Sequence, residues 1–280
     1  MKKLQNGRYS GERSLFASSD LEIENSLFFD GESPLKESRN IALKGCEFRW
    51  KYPLWYCKNV SAAECVLKDT ARSGIWYTEN IEMTSCEIEA PKTFRRASHV
   101  TLNDVRMPNA QETMWNCDNV ALSHVYVCGD YFGMGSSNIE AEYLTVDGNY
   151  IFDGGNNIVV KNSRLISKDA FWNCENVTVI DSVIVGEYLG WNSKNVTFIN
   201  CEIESNQGMC YMQNVTLKKC KLINTDLCFE YCTVDAEINS QIISVKNPIS
   251  GRIVADAIGE IIMEPNRVDV SKTQILEVKK

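Results

Sequence analysis

The sequence predicts an all-β fold, a single-stranded right-handed parallel β-helix with coils of about 19 residues. An Asn followed by Ile or Val returns about every 19 residues, and no stretch keeps a helical period of 3.6 residues. Left-handed β-helices are built on hexapeptide units, of which 19 is not a multiple. The repeats begin at Asn40, Asn59, Asn80, His99, Asn119, Asn138, Asn157, Asn176, Asn195, Asn214 and Thr233.

Each repeat predicts three short strands. Apolar residues occupy the first and third positions after the Asn, as at Val177 and Val179, which is the pattern of a strand with one buried face. A second strand follows a small residue such as Cys201, and a third segment ends the repeat. Asn tolerates a left-handed backbone, so we expect the Asn column at bends, with side-chain amides bonded from coil to coil.

The repeat indicates one domain over residues 1–280. Residues 1–19 are predicted to form an N-terminal cap and residues 20–233 the regular coils, about 11 in number. Residues 234–280 are predicted to form closing coils, a C-terminal cap and a tail, because open coil ends expose unpaired strand edges.

Composition excludes several classes of protein. A net charge of −8 and a pI near 5.0 disfavour a nucleic-acid partner. The sequence has neither an apolar run of transmembrane length nor a signal peptide, so we expect no membrane partner and a cytoplasmic protein. The oligomeric state stays open.

The twelve cysteines are predicted to pack as small apolar side chains. Cys46, Cys65, Cys86, Cys201 and Cys220 share one inward column, and no C-x-x-C pair occurs. The two histidines, His99 and His124, fall at bend positions. The sequence therefore predicts no metal site.

One segment of each repeat, before the next Asn, combines aromatic and charged residues. Five of its tryptophans share a column that also holds Arg95 and Asp153, which favours a column partly open to solvent. The aromatic rings either cover the core edge or form a platform for flat ligands. Predicted substrate-binding residues are Trp55, Trp76, Trp115, Trp172, Trp191, Tyr131, Tyr150, Tyr188, Lys92, Arg95 and Arg96.

The same segment predicts a catalytic group. Lys168 and Glu187 fall at one position in neighbouring coils, about 5 Å apart at the backbone, and Asp169 adjoins Lys168. Asp130 lies in the Lys168 column two coils earlier, and Asp153 lies across the turn. Carboxylates separated by about 5–9 Å serve glycoside hydrolysis, and Lys168 would keep one ionised. The alternative is an ordinary solvated Lys–Glu ladder.

A basic patch precedes this group and comprises Lys51, Arg72, Lys92, Arg95 and Arg96. It fits a uronate, a phosphate or another small anion as ligand. It equally fits an internal balance of charge or a partner surface.

Several segments resemble an uncharacterised bacterial family, a domain of unknown function in the single-stranded right-handed β-helix class. These are Gly11–Arg13, Asp30–Lys36, Lys51–Trp55 and Ser167–Trp172, and the resemblance spans residues 7–262. The fold is also similar to pectate-lyase-like proteins. That likeness implies a groove of acids and Arg or Lys, often with calcium. We expect no cofactor. Calcium is suggested by this fold analogy alone, and the coils of this chain are shorter than those of the pectate-lyase-like proteins.

Three functions follow as hypotheses. The first is a hydrolase or lyase acting on a small intracellular saccharide, with Asp169 or Glu187 as acid and base, Asp153 and Asp130 in support, and the Trp column as platform. The second is a non-catalytic protein-interaction or assembly module that uses the same aromatic and charged segments. The cysteine placement makes a metal or redox protein the least favoured.

Overall fold

The computed structural model describes residues 1–278 and is a right-handed parallel β-solenoid of about 15 turns. Among these residues the only helical element is a 3-10 turn at Val270–Lys272. The chain divides into two compact units, Met1–Thr145 and Val146–Lys280, and each is described by itself. Lys279 and Lys280, the end of the predicted tail, lie outside the described residues.

Twenty-six strands build the coils. The strands before residue 145 are β1 Lys2–Gln5, β2 Arg8–Tyr9, β3 Ser19–Glu24, β4 Leu27–Phe28, β5 Arg39–Lys44, β6 Glu47–Phe48, β7 Lys58–Ala63, β8 Val66–Leu67, β9 Ile75–Trp76, β10 Glu79–Thr84, β11 Glu87–Ile88, β12 Phe94–Arg95, β13 Ser98–Met107, β14 Asp118–Cys128 and β15 Ser137–Glu142. The later strands are β16 Thr145–Asp147, β17 Asn156–Lys161, β18 Arg164–Ile166, β19 Glu175–Ile180, β20 Val183–Val185, β21 Lys194–Ile199, β22 Glu202–Asn206, β23 Gln213–Asp226, β24 Thr233–Lys246, β25 Ser250–Ile262 and β26 Thr273–Glu277.

Neighbouring coils pair in parallel and mostly in register, as the 19-residue period predicts, with register shifts in the pairs from β22 to β25. In the second unit β19 pairs with β21 in parallel, so that Val177 lies opposite Val196 and Val179 opposite Phe198. The shorter strands β20 and β22 pair in the same way. All four named side chains are buried, which explains the alternation in the sequence.

The predicted fold class is confirmed, but the predicted count of about 11 coils is too low, since the solenoid has about 15 turns. Parallel pairing does not require Asn at the bends. β1 and β2, within residues 1–19, pair with β3 and β4. Beyond Thr233, β24, β25 and β26 continue the pairing without the Asn signal.

The Asn column lies at bends with a left-handed backbone. Asn176 and Asn195 have φ angles of 58° and 53°. Their amides form the expected ladder in the second unit: Asn176 donates to Asn157 Oδ1 at 3.1 Å and receives a bond from Asn195 at 3.0 Å. In the first unit Asn59 donates to Asn40 at 2.9 Å. The column therefore supplies both the backbone conformation and a bond between coils.

One coil of the first unit is longer than its neighbours. Val60 pairs with Ile81, an offset of 21 residues, whereas Ile81 pairs with Val100, an offset of 19. The two extra residues fall between Leu67 and Ile75, outside the strands. Both flanking strand pairs stay in register, so the third segment absorbs the change in length.

The interior is lined by stacked columns of like residues. Phe28 and Phe48 stack at 4.5 Å between ring centroids, and eleven of the twelve cysteines are buried, with Cys128 half-buried. Burial raises the pKa of the Cys57, Cys117 and Cys174 thiols to about 12. These cysteines are packing residues, as expected from their columns.

We predict that Asn176→Ala lowers the melting temperature by roughly 4 °C, because it loses ladder bonds and places a Cβ-bearing residue without local hydrogen bonds at positive φ. Asn176→Gly keeps the permissive backbone and should lose roughly half as much. Thermal unfolding followed by circular dichroism measures both, with Glu175→Ala as the exposed neighbouring control. An Ala variant as stable as the Gly variant would contradict this account.

We predict that a thiol-specific reagent such as Ellman's modifies about one cysteine per native chain at neutral pH, because the other eleven thiols are buried and out of its reach. All twelve should react after denaturation. Cys128→Ser should abolish the rapid native reaction. Rapid modification of several thiols in the native protein would show that the columns are accessible.

Candidate functional site

The third segment of each coil carries the predicted site residues on an unusual backbone. Between β18 and β19, Asp169, Phe171 and Asn173 have φ angles of 54°, 57° and 54°. Side chains other than Gly, Asn and Asp rarely adopt such angles, since the Cβ approaches the backbone. Bonds to the next coil hold this conformation: Asp169 N–H donates to the Glu187 carbonyl at 2.9 Å. The segment thereby fixes which side chains face outward.

In the first unit the Trp column forms a continuous stack. The rings of Trp55 and Trp76 are parallel within 7° at 5.1 Å. The guanidinium of Arg95 lies 4.6 Å from Trp76 on one side and 4.6 Å from Trp115 on the other. This double cation–π contact explains how the column accepts an arginine.

The indole N–H groups pin the stack to the solenoid. Trp76 donates to the Lys92 carbonyl at 2.8 Å, and Trp115 donates to the Tyr131 carbonyl at 2.7 Å. The three tryptophans are half-buried. Within the stack their faces contact one another or Arg95, so a ligand on the flank of the stack would meet ring edges.

Lys92, Arg95 and Arg96 lie on one coil of the first unit. Glu112 of the next coil lies 3.0 Å from the Lys92 ammonium and 3.9 Å from the Arg95 guanidinium. Arg96 is exposed, with its guanidinium 6.0 Å from the Tyr77 ring. The structure thus pairs one carboxylate with two of the three cations.

Asp130 and Tyr131 also lie in the first unit, in the third segment of the coil that follows Glu112. Both are half-buried, and the Asp130 carbonyl accepts the Glu112 N–H at 2.9 Å. The other four predicted catalytic residues lie in the second unit.

The second unit gathers Asp153, Lys168, Asp169 and Glu187. Tyr150, Asp169 and Tyr188 occupy equivalent positions in three successive coils, since each N–H bonds to the corresponding carbonyl of the next coil. Asp169 is only 5% exposed although it lies on the outer segment.

Burial raises the pKa of Asp169 above its usual value of 3.8. The nearby carboxylates of Glu187 and Asp153 act in the same direction, while the Lys168 charge and a hydrogen bond with Tyr150 oppose it. Glu187 is exposed and lies 3.5 Å from the Lys168 ammonium. The cluster therefore combines a carboxyl biased toward protonation with a carboxylate held next to a cation.

Asp153 is held by a chain of amides. Asn173 donates to its Oδ1 at 3.1 Å, and Asn192 donates to Asn173 at 2.8 Å. This arrangement fixes the Asp153 carboxylate within the electrostatic range of Asp169.

Aromatic rings surround the acidic cluster. Trp172 lies 6.1 Å from Tyr150, and the Lys168 ammonium lies 5.2 Å from the Tyr188 ring. Trp191 contacts Tyr188 at 5.1 Å and donates its indole N–H to the Gln207 carbonyl at 2.6 Å. The predicted substrate-binding rings of this unit therefore adjoin the acids.

Two contributors escaped the sequence analysis. Glu112 lies one coil after Lys92 and could have been found by extending the register to charges of opposite sign. Tyr211, 43% exposed and 5.2 Å from Trp191, lies one residue outside the Trp column and carries no such signal.

The side chains of the candidate site do not fit a calcium-binding site. Within residues 1–278 no group of three or more His, Cys, Asp or Glu side chains is arranged to hold a metal ion. The Lys168 ammonium beside Glu187 would repel a divalent cation at the acidic cluster.

No helix of the described chain is long and apolar enough to cross a membrane.

We predict that Asp169→Asn raises the melting temperature by roughly 2 °C at neutral pH, since it removes a buried charge and Asn suits positive φ. A raised folded-state pKa means that the native state holds the proton longer than the unfolded chain. Wild-type stability therefore falls as pH rises from about 3.8 through the raised value. The advantage of the variant should shrink on acidification through that window. Melting curves from pH 3.5 to 8 test this, with Asp181→Asn as control at an exposed position of positive φ, and a pH-independent difference would contradict it.

Comparison with the solved structure of a surface adhesin supports the fold, and two weaker matches carry no argument. PfbA, a surface adhesin of Streptococcus pneumoniae, matches with 9% identity and a TM-score of 0.53, over 92% of this chain and 83% of that protein. The tailspike of E. coli bacteriophage HK620, solved with a pentasaccharide, matches with 10% identity and a TM-score of 0.40, over 98% and 70%. The Azotobacter vinelandii mannuronan C-5 epimerase AlgE4 A-module has 11% identity and a TM-score of 0.31, over 99% and 86%. At such identities the likeness concerns fold alone.

Curated proteins give no match. One family covers nearly the whole sequence, from residue 2 to residue 276, and its extent agrees with the run of paired coils from β1 to β26. The chain belongs to this family, which is described as protein of unknown function (DUF3737).

Proposed function

We propose that the second unit binds a saccharide and cleaves a glycosidic bond, with Asp169 as general acid and Glu187 as nucleophile. The observation that carries the proposal is the pairing of unlike carboxyls on adjacent coils. Asp169 is nearly buried with a raised pKa, and Glu187 is exposed beside Lys168. Glycosidases need such a pair, one protonated and one ionised.

The chemistry follows from these environments. The Asp169 carboxyl donates its proton to the glycosidic oxygen as the bond to the anomeric carbon breaks. The Glu187 carboxylate forms a bond to that carbon. Water, deprotonated by the Asp169 carboxylate, then displaces Glu187 and restores both groups. Retaining enzymes hold their two carboxyl groups about 5 Å apart, and the mechanism requires that separation between Asp169 and Glu187.

The surrounding residues have supporting roles. Asp153 disfavours ionisation of Asp169, and Tyr150 holds its carboxyl by a hydrogen bond. Lys168 places its ammonium 3.5 Å from the Glu187 carboxylate. Trp172 and Tyr188 flank the cluster and offer apolar surface to a sugar ring.

A second candidate function is protein docking on the exposed aromatic residues of the third segments. Tyr56 and Tyr211 are 46% and 43% exposed, which is typical of interface anchors more than of a closed pocket. Docking does not require Asp169 to hold a proton, so the two functions differ in their dependence on that residue.

We predict that the wild-type protein hydrolyses at least one member of a panel of aryl glycosides and oligosaccharides. Asp169→Asn and Glu187→Gln should each lower kcat/KM by about 100-fold or more, since each removes a group that acts in the transition state. Glu202→Gln is the matched control, because Glu202 forms an equivalent exposed pair with Lys221 at 2.9 Å.

Three results would bear on the proposal. Loss in both variants with an unchanged control supports it. Equal activity in all proteins would assign any turnover to a contaminant or another site. Saccharide binding without turnover, detected by thermal shift, would support a saccharide as ligand and contradict the catalytic roles of Asp169 and Glu187.

A further inference from the structure

We infer that the first unit contains a separate site for an oxyanion carried on a sugar ring, formed by Arg95, Arg96 and Lys92. These residues belong to one coil, within four positions of one another, and lie outside the proposed catalytic cluster. The inference therefore stands or falls independently of glycoside cleavage.

Ring contacts orient the two guanidinium groups. Arg95 is held between Trp76 and Trp115, each 4.6 Å from its guanidinium carbon. Arg96 follows Tyr77 in the neighbouring column, with 6.0 Å between guanidinium and ring. A guanidinium stacked on a ring presents its N–H groups in its own plane, away from that ring. The Arg95 guanidinium is thus held in place before a planar or tetrahedral oxyanion arrives, and the exposed Arg96 follows it in the chain.

The local charge is incompletely balanced. Glu112 serves both Lys92, at 3.0 Å, and Arg95, at the longer distance of 3.9 Å. In the described chain no carboxylate lies within ion-pair distance of Arg96, which is exposed. Lys92 and Arg95 thus share one anion while Arg96 pairs with no carboxylate of the described chain, and this excess of positive charge on one coil favours a further negative charge.

The adjacent aromatic columns favour a ring as the carrier of that charge. Tyr56 and Tyr77 are parallel within 5° at 4.7 Å, and Tyr56 is 46% exposed. Edges of Trp55 and Trp76 lie beside them, with 6.4 Å between the Trp76 and Tyr77 ring centroids. Hydroxyl groups and ring edges of this kind suit a pyranose contacted from the side. A uronate and a phosphorylated sugar present the same chemistry here.

The test is calorimetric titration of the full chain with a galacturonate oligomer, glucose 6-phosphate, inorganic phosphate and neutral cellobiose. We expect saturable binding of the galacturonate oligomer or of glucose 6-phosphate, and the one that binds identifies the source of the oxyanion. Arg96→Gln should weaken that binding at least about tenfold, since it removes a charge-assisted hydrogen bond.

Arg106→Gln is the matched control. Arg106 is an exposed arginine of the same unit, 4.9 Å from the Tyr126 ring, and should leave binding unchanged. Equal weakening by both variants, equal binding of cellobiose, or binding of inorganic phosphate as tight as that of either sugar would overturn the inference. Absence of binding by every anion would also overturn it. Because Arg96 is exposed, its replacement should leave folding intact, and melting curves verify this.

Discussion

In-register hydrogen bonding between coils is the interaction on which the rest of the structure depends. A chain that closes a coil in about 19 residues must turn sharply several times, and it does so with left-handed residues at the bends and at alternate positions of the third segment. Many of these residues are bulky, including Tyr150, Phe171 and Tyr188. Each left-handed position costs about 1 kcal/mol or more for an ordinary side chain. Bonds such as Phe171 N–H to the Ile151 carbonyl, at 3.0 Å, are made only when coils stack, and they offset that cost.

The same register turns a one-dimensional list of residues into chemical environments. A side chain has as its nearest neighbours the residues one coil before and after it. Where those neighbours match, the result is a ladder, as in the Asn column. Where they differ, the result is a special group: an arginine between two tryptophans, or Asp169 between two tyrosine positions. Asp169 is thus buried on the outer segment without lying in a deep pocket.

How much the sequence predicts differs between the backbone fold and the candidate site. The period, the strand alternation and the bend conformation follow from the Asn column, because a repeated backbone demand selects repeated residue types. The coil count fails at the ends, since β1 and β25 satisfy strand pairing without an Asn. For the site, register brings Lys168 to Glu187, 3.5 Å apart in the structure. Register could not reveal the near-complete burial of Asp169 or the covering of Trp faces by their neighbours, because both depend on side-chain rotamers.

The longer coil between Leu67 and Ile75 has a consequence for how such a protein can change. Its additional residues leave the strands on both sides aligned, so length can vary at this corner without propagating along the stack. A stacked fold is intolerant of insertions within its strands, where one added residue would reverse every inward side chain. Corners of the third segment are therefore the places where new loops can be grafted, and where walls around a binding surface could arise by gradual lengthening of single coils.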